Sequence, residues 1–219
     1  DNRQVQQLSD YSSNRIPVAY EQIPDNLKNA FISIEDERFY EHDGIDFKGI
    51  LRALWTDIRN GSTSQGASTL TQQLIKNNVF EAGGETNIIA KVKRKIQEQY
   101  LAIIAEKKYN KEDILTNYLN TINLGKGNLG VEAASKYYFG KSVNELTLSE
   151  CAVLAGITKN PTFLNPVDYP EDNDARRKLI LKKMYQLNYI SDTEYQSALE
   201  DKVYARIANK TAQGRKNSV

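Results

Sequence analysis

Residues 35–44 read Glu35-Asp36-Glu37-Arg38-Phe39-Tyr40-Glu41-His42-Asp43-Gly44 and place acids where an apolar helix ends. Upstream, apolar residues recur at helical spacing, at Leu27, Ala30, Phe31 and Ile34. Glu35 and Asp36 therefore fall at or near the helix C-terminus, where the helix dipole is negative. Both the dipole and the apolar neighbours disfavour a charged carboxylate, which suits it to proton transfer. A solvated acidic helix end is the alternative.

The composition fits one well-packed domain, with 219 residues of which 40% are hydrophobic. Its 29 basic and 28 acidic side chains leave a net charge of +1, which argues against a nucleic-acid binder. Cys151 is the only cysteine, so we expect a buried thiol and no internal disulfide. The chain has no signal peptide and no run of eighteen apolar residues. Because it begins at Asp1, we expect an excised piece of a longer protein.

Helical patterns dominate, and the only extended piece expected lies around Ile16 to Tyr20, so the predicted fold is all-α with little or no sheet. The sequences Thr69-Leu70-Thr71-Gln72, Thr147-Leu148-Ser149-Glu150 and Ser191-Asp192-Thr193-Glu194 each predict a capping box. Loops are predicted at 60–67, 81–86 and 125–130. The predicted helices are 24–35, 47–59, 69–77, 88–107, 111–122, 130–139, 148–157, 174–187 and 193–199.

A second motif, Gly66-Ala67-Ser68-Thr69-Leu70-Thr71-Gln72-Gln73-Leu74-Ile75-Lys76-Asn77, leads from a small-residue turn into a helix N-terminus. Exposed N–H groups there would suit a phosphate, and Lys76 would add a point charge. A plain helix cap is the alternative.

A third motif, Lys91-Val92-Lys93-Arg94-Lys95-Ile96-Gln97-Glu98, puts residues 91, 94, 95 and 98 on one helical face. The opposite face carries Val92, Ile96, Tyr100 and Ile103. Glu98 lies where the basic stripe meets a more apolar surface, so it is a candidate second functional carboxylate. A solvated basic stripe with one intrahelical ion pair is the alternative.

Together these motifs resemble the peptidoglycan glycosyltransferase domain, glycosyltransferase family 51, of class A penicillin-binding proteins and monofunctional transglycosylases. Residues 35–44, 66–77 and 94–98 resemble the first three motifs of that family in order. Residues 111–120 and 152–161 resemble the fourth and fifth, so the likeness extends from about Ile23 to Pro166. Departures are Ala67 for a second glycine, Thr116 for glutamate, and Asn123-Leu124 for aromatics. The connection from Glu81 to Ile89 is also longer than is typical of the family.

The resemblance implies a lysozyme-like α fold and an enzyme that polymerises lipid II, with inversion, at the outer face of the bacterial cytoplasmic membrane. Glu35 would be the general base, and Lys76, Arg94 and Lys95 would stabilise the departing pyrophosphate. Glu98 would be the second acid, either orienting those cations or holding a divalent ion such as Mg²⁺ or Mn²⁺; no cofactor is expected to be obligatory. Further substrate contacts are implied for Phe39, Ser68, Thr69, Gln72 and Gln73. Asp36 is counted with them as a candidate contact, but we expect it mainly to support Glu35 or to cap locally. His42, the only histidine, is interpreted as a structural hydrogen-bonding residue.

We expect a single domain over 1–219, with an N-terminal extended segment at 1–22 and a polar linker at 205–219. Residues 45–66 are a candidate membrane-facing helix and flexible loop, because Ile50, Leu51, Leu54, Trp55 and Ile58 form one apolar stripe. A core helix has the same pattern. The expected partners are lipid II, the growing glycan, the lipid interface, phosphoglycolipid inhibitors of the moenomycin type and a transpeptidase domain in the parent chain. The rival functions are a lysozyme-like hydrolase or lytic transglycosylase, and a catalytically silent cell-wall or lipid II binding module.

Overall fold

The computed structural model describes residues 14–60, 68–80 and 87–208, and nearly all their regular structure is helical. Strands β1 (Asn14–Arg15) and β2 (Asn128–Leu129) form a two-residue parallel pair in which Asn14 lies opposite Asn128. The predicted all-α class is confirmed. The α-helices of these residues are α1 (Asp25–Glu35), α2 (Phe47–Asn60), α3 (Leu70–Val79), α4 (Ile88–Lys108), α5 (Lys111–Thr121), α6 (Val131–Phe139), α7 (Leu148–Ile157), α8 (Pro170–Gln186) and α9 (Asp192–Glu200).

Most helix boundaries lie within one or two residues of the sequence prediction, and two features differ more. Helix α8 begins at Pro170 rather than Asp174, because proline at the first helical position loses no hydrogen bond there and its fixed φ fits the helix. The expected extended piece around Ile16 to Tyr20 is wrong in detail, since the strand lies at Asn14–Arg15 and a 3₁₀ turn begins at Tyr20. Of the loop predicted at 60–67, all but Asn60, the last residue of α2, lies outside the described residues. The loop predicted at 81–86 lies outside them as well, as do 1–13 and 209–219.

The predicted capping boxes at Thr147 and Ser191 are confirmed, with the hydroxyl and the glutamate three residues later both bonded. At Thr69 only half of the box forms. Thr69 Oγ1 accepts from Gln72 N at 3.2 Å, but the Gln72 side chain does not return to the cap. Its Oε1, the atom that would accept from the cap N–H, accepts instead from Lys95 Nζ at 3.3 Å, and its Nε2 donates to Gly44 O at 3.3 Å. Partners distant in sequence have displaced the local interaction.

The described residues group into two compact units, one formed by 14–34 with 119–208 and the other by 35–118 with its gaps. In the first, α7 is buried on all sides and packs mainly on α8. Buried Asn173 of α8 donates to Val153 O at 3.2 Å and Leu164 O at 2.7 Å, which ties the two helices together. Cys151 is buried and reduced as predicted.

Glu150 is a fully buried acid at the start of α7. Burial alone would raise the pKa of its carboxyl. Lys141 Nζ at 2.7 Å, Thr147 N at 2.8 Å and Arg206 Nε at 2.9 Å outweigh that effect and lower the pKa. The carboxylate is therefore ionised in the folded chain and joins α7 to two segments outside it.

We expect Glu150→Gln to lower the free energy of unfolding at neutral pH by about 1–3 kcal/mol, because two cations lose their charged partner. The folded pKa is depressed, so the stabilisation is complete above the ordinary value of 4.5 and is lost as pH falls through the lower, folded value. Urea unfolding should therefore show the free energies of unfolding of the two proteins converging as the pH falls below 4.5. Exposed Glu145→Gln is the control, and an equal loss in that variant would contradict the burial argument.

In the second unit, the connection from α1 to α2 lies on α4. Gly44 has φ +90°, and a Cβ there would lie 2.8 Å from the carbonyl group of Ala102. Only glycine permits both the conformation and the close approach. Asp46 then caps α2, accepting from Gly49 N at 2.9 Å, and is held by Arg38 at 2.6 Å. These contacts fix the segment that follows Glu35.

Candidate functional site

Glu35 is the last residue of α1, as predicted, and its side chain is half-buried. Gln73 Nε2, on the second turn of α3, donates to Glu35 Oε2 at 2.9 Å. The same amide accepts at Oε1 from the Tyr118 hydroxyl at 3.2 Å. A carboxylate held in this way by an amide, with its side chain still partly exposed, is oriented for proton transfer.

Asp36 differs sharply from its neighbour, because its side chain is only 3% exposed. Its carboxylate accepts from Leu70 N at 3.0 Å and lies 3.0 Å from His42 Nε2. His42 Nδ1 accepts from Gly44 N at 3.2 Å, which assigns the proton of a neutral imidazole to Nε2. The structural interpretation of His42 agrees with this geometry.

These contacts bear on the phosphate site predicted at the N-terminus of α3, because two of the N–H groups there have acceptors within the protein. The Leu70 N–H is bonded to the Asp36 carboxylate, and the Gln72 N–H is bonded to Thr69 Oγ1. An anion already lies at this helix end, and it belongs to the protein. The motif therefore acts here as an internal cap.

Several residues expected to contact substrate are committed to the protein interior. Thr69 and Gln72 are 1% and 2% exposed and both donate to Gly44 O, at 2.8 and 3.3 Å. Phe39 is fully buried, with Lys111 Nζ 4.5 Å from its ring centre. For these three, and for Asp36, the geometry favours support of the site over the predicted direct contact.

A polar cluster joins α4 to the start of α3. Lys95 Nζ donates to Ser68 Oγ at 2.9 Å and to Gln72 Oε1 at 3.3 Å. Glu98, 3% exposed, accepts from Lys95 at 3.3 Å, and Arg94 Nε lies 3.5 Å from its other oxygen. The structure thus brings together the predicted residues Ser68, Gln72, Arg94, Lys95 and Glu98.

Lys76 stands apart from this cluster. It is exposed on the last turn of α3 and forms no ion pair within the described part of the chain. It lies six positions after Leu70, a rise of about 9 Å along the helix axis. Its charge is therefore available to a ligand but does not reinforce the N-terminus of α3.

Sequence analysis missed a second buried network. Glu106, its side chain 3% exposed, accepts from Thr71 Oγ1 at 2.6 Å and from Lys111 Nζ at 2.8 Å. Lys111 also donates to His42 O at 2.6 Å. The one sequence signal for this network was that Lys111 begins the stretch that resembles the fourth family motif. The network could not be predicted from local patterns, because Thr71 and His42 lie far from Glu106 and Lys111 in sequence.

Comparison with known proteins assigns the family. The profile described as transglycosylase matches residues 1–185. This chain belongs to the transglycosylase family. The match extends beyond the predicted limits of Ile23 and Pro166 and confirms the resemblance on which they were based.

This transglycosylase domain is 48% identical over 193 residues to penicillin-binding protein 1A of Clostridium tetani (strain Massachusetts / E88), covering 84% of this chain and 24% of that relative. Penicillin-binding protein 1A of Haemophilus influenzae (strain ATCC 51907 / DSM 11121 / KW20 / Rd) is 47% identical over 191 residues, covering 87% and 22%. The 2.6 Å crystal structure of penicillin-binding protein 1A from Haemophilus influenzae superposes on this chain with a TM-score of 0.52. The superposition covers 87% of this chain and 18% of that one, and 29% of the paired residues are identical. The chain spans about a quarter of the length of these curated relatives.

Two helices of the transglycosylase domain carry large exposed apolar residues. On α2, Phe47, Leu51 and Trp55 are 68%, 67% and 71% exposed. A core helix would bury such residues, so the exposure of Leu51 and Trp55 favours the membrane-facing alternative for α2. On α4 the exposed set extends over four turns and comprises Ile88, Ile89, Val92, Ile96, Tyr100 and Ile104. Of the apolar face predicted opposite the basic stripe of α4, Val92, Ile96 and Tyr100 are exposed. The next exposed apolar residue on α4 is Ile104 rather than the predicted Ile103.

The described residues contain neither a metal-ligand cluster nor a membrane-spanning helix. Within 14–60, 68–80 and 87–208 there is no group of three or more His, Cys, Asp or Glu side chains placed to hold a metal ion. Over the same ranges, none of the helices combines the length and hydropathy needed to cross a bilayer.

Substitution of the two neighbouring acids should change the stability of the domain by different amounts. We expect Asp36→Ala to lower the free energy of unfolding by about 2–4 kcal/mol, because it leaves the Leu70 N–H and His42 without their buried acceptor. Glu35→Gln should change it by less than about 1 kcal/mol, since the half-buried amide is near-isosteric. Urea denaturation of both variants measures this. A larger loss of unfolding free energy for Glu35→Gln than for Asp36→Ala would contradict the assignment of Asp36, rather than Glu35, as the structural carboxylate.

Proposed function

We propose that this domain polymerises lipid II into β-1,4-linked glycan strands with inversion at the anomeric carbon and release of polyprenyl pyrophosphate. The observation that carries the proposal is the half-buried Glu35 carboxylate held by Gln73 in a chain that belongs to the transglycosylase family. Glycosyl transfer with inversion needs one base for the acceptor hydroxyl and positive charge for the leaving group. This unit supplies both kinds of residue.

Glu35 takes the proton from the 4-hydroxyl of the incoming lipid II, and that oxygen attacks the anomeric carbon of the growing chain. The bond to the pyrophosphate breaks as the new glycosidic bond forms. Arg94 and Lys95, 23% and 44% exposed at the side chain, are available to the departing charge on α4. Lys76 adds a further positive charge from α3.

Glu98 acts on this cluster by orientation. Its buried carboxylate lies between Arg94 and Lys95 and fixes both side chains against α4. A Mg²⁺ or Mn²⁺ ion prefers several oxygen ligands, whereas Glu98 is a single carboxylate already neutralised by two cations. The protein residues therefore do not by themselves fit a divalent ion, and no step is assigned to one.

The rival functions predict different products. A lysozyme-like hydrolase or lytic transglycosylase cuts a neutral glycan and has no use for a basic cluster, so it would release soluble muropeptides from cell wall. A silent binding module would bind lipid II without turnover. Incubation with labelled lipid II and separation of polymer from substrate distinguishes all three.

Glu35→Gln should lower the rate of lipid II polymerisation by on the order of 10²–10⁴, because an amide cannot accept the proton. Exposed Glu41→Gln, in the same motif, is the control and should retain the parent rate. A folded Glu35→Gln protein within about twofold of the parent rate would remove Glu35 as the base.

Lys76→Ala and Arg94→Ala should each reduce polymerisation by about tenfold or more and weaken binding of phosphoglycolipids of the moenomycin type, because both lose a cation expected to face phosphate. Exposed Lys93→Ala, on α4, should change neither. Polymer assays and inhibitor titrations measure the two effects. Normal values in both variants would leave the basic residues as a solvated surface and favour the hydrolase.

We also propose that the domain lies against lipid at the outer face of the bacterial cytoplasmic membrane, in a parent chain that carries a transpeptidase domain. The support is the exposed apolar residues of α2 and α4, together with the two penicillin-binding protein 1A relatives, of whose length this chain covers about a quarter. An amphipathic helix of this kind buries its apolar face in the headgroup boundary.

Leu51→Ser with Trp55→Ser should weaken liposome association while changing the melting temperature by no more than about 2–4 °C, because both side chains are already exposed. Flotation and thermal unfolding measure the two effects. Phe163→Ser, an exposed aromatic of the first unit, should leave flotation unchanged. A large drop in melting temperature with unchanged flotation would contradict the membrane assignment.

A further inference from the structure

Tyr118 on α5 is fully buried, and its hydroxyl donates to Gln73 Oε1 at 3.2 Å. Burial, and then the negative charges of Glu35 and Asp36, raise the pKa of this phenol well above its usual value. The group therefore remains a hydroxyl at every working pH and keeps a proton to donate.

The Gln73 amide has two unlike ends, and its neighbours decide which end faces the carboxylate. Nε2 donates to Glu35 Oε2 at 2.9 Å while Oε1 receives the Tyr118 hydroxyl. In the reversed orientation the amide oxygen would face the ionised carboxylate, and like charges would repel. Only the observed orientation gives both ends an attractive partner while Glu35 is ionised and ready to act as a base.

We propose that Tyr118 is a positioning residue for glycosyl transfer, holding the Gln73 amide so that its N–H orients the Glu35 carboxylate. The inference rests on the proposed function, because it takes Glu35 to be the base. The resemblance implies that Gln73 contacts sugar or phosphate. In this proposal Gln73 also orients the carboxylate of the base, Glu35.

Tyr138 provides a comparison within the same chain. It is also fully buried, and its hydroxyl donates to Leu124 O at 2.8 Å. That acceptor is a backbone carbonyl, fixed by the chain itself. The acceptor of Tyr118 is a side chain that reaches onward to Glu35, so loss of the Tyr118 hydroxyl should alter catalysis and loss of the Tyr138 hydroxyl should not.

Tyr118→Phe should lower kcat for lipid II polymerisation by about 5–30-fold, the effect of one misplaced hydrogen bond, and leave KM within about twofold. Tyr138→Phe should leave kcat unchanged, even where it lowers the melting temperature. In a Gln73→Met background the Tyr118 substitution should have no further effect, because the amide through which it acts is gone. A normal kcat for Tyr118→Phe, or an additive loss in the double variant, would overturn the proposal.

The side-chain amide of Gln73 gives a readout that needs no turnover. Its NMR signals, assigned by their loss in Gln73→Met, should move in Tyr118→Phe and stay in place in Tyr138→Phe. Unchanged Gln73 signals in Tyr118→Phe would overturn the positioning role, whatever the activity. A wild-type chain that makes no polymer would instead remove the proposed function, and the catalytic part of this inference with it, so the two failures are distinguishable.

Discussion

The buried carboxylate of Asp36 is the contact on which the arrangement of the site depends. It follows α1 directly, caps the first turn of α3 through Leu70 N and binds His42. A buried charge is tolerated only with such partners, so the loop cannot move away from α3 without a large loss of free energy. Because Glu35 is the preceding residue, its place relative to Gln73 on α3 is fixed by the same contact.

Burial divides the acids of this unit into two groups. Asp36, Glu98 and Glu106 have side chains no more than 4% exposed and are each held by hydrogen bonds or cations. Glu35 is half-buried, and the Gln73 amide donates to its carboxylate. A base must be reached by the hydroxyl whose proton it takes, which a fully buried carboxylate cannot be. This difference, rather than the density of acids in the motif, distinguishes Glu35 as the candidate base.

Local patterns in the sequence were sufficient for the helices, for the caps at Thr147 and Ser191, and for the position of Glu35. They were insufficient wherever a partner comes from far along the chain. Gln72 bonds to Gly44 O, 28 residues away, and Leu70 N bonds to Asp36, 34 residues away, so a predicted capping box and a predicted phosphate site both became internal contacts. Tyr118 carries no local sign of its contact with Gln73, 45 residues earlier. The family resemblance located the motifs, but it did not indicate which of their side chains face inward.

Amide hydrogen exchange at Leu70 tests the central constraint most directly. If the Asp36 carboxylate holds the first turn of α3, Asp36→Ala should accelerate exchange of the Leu70 N–H by roughly tenfold or more relative to amides at the centre of α4, while amides of α7 in the other unit keep their protection. Equal protection of the Leu70 N–H in the wild type and the variant would contradict the account, because the loop and α3 would then be held together without Asp36.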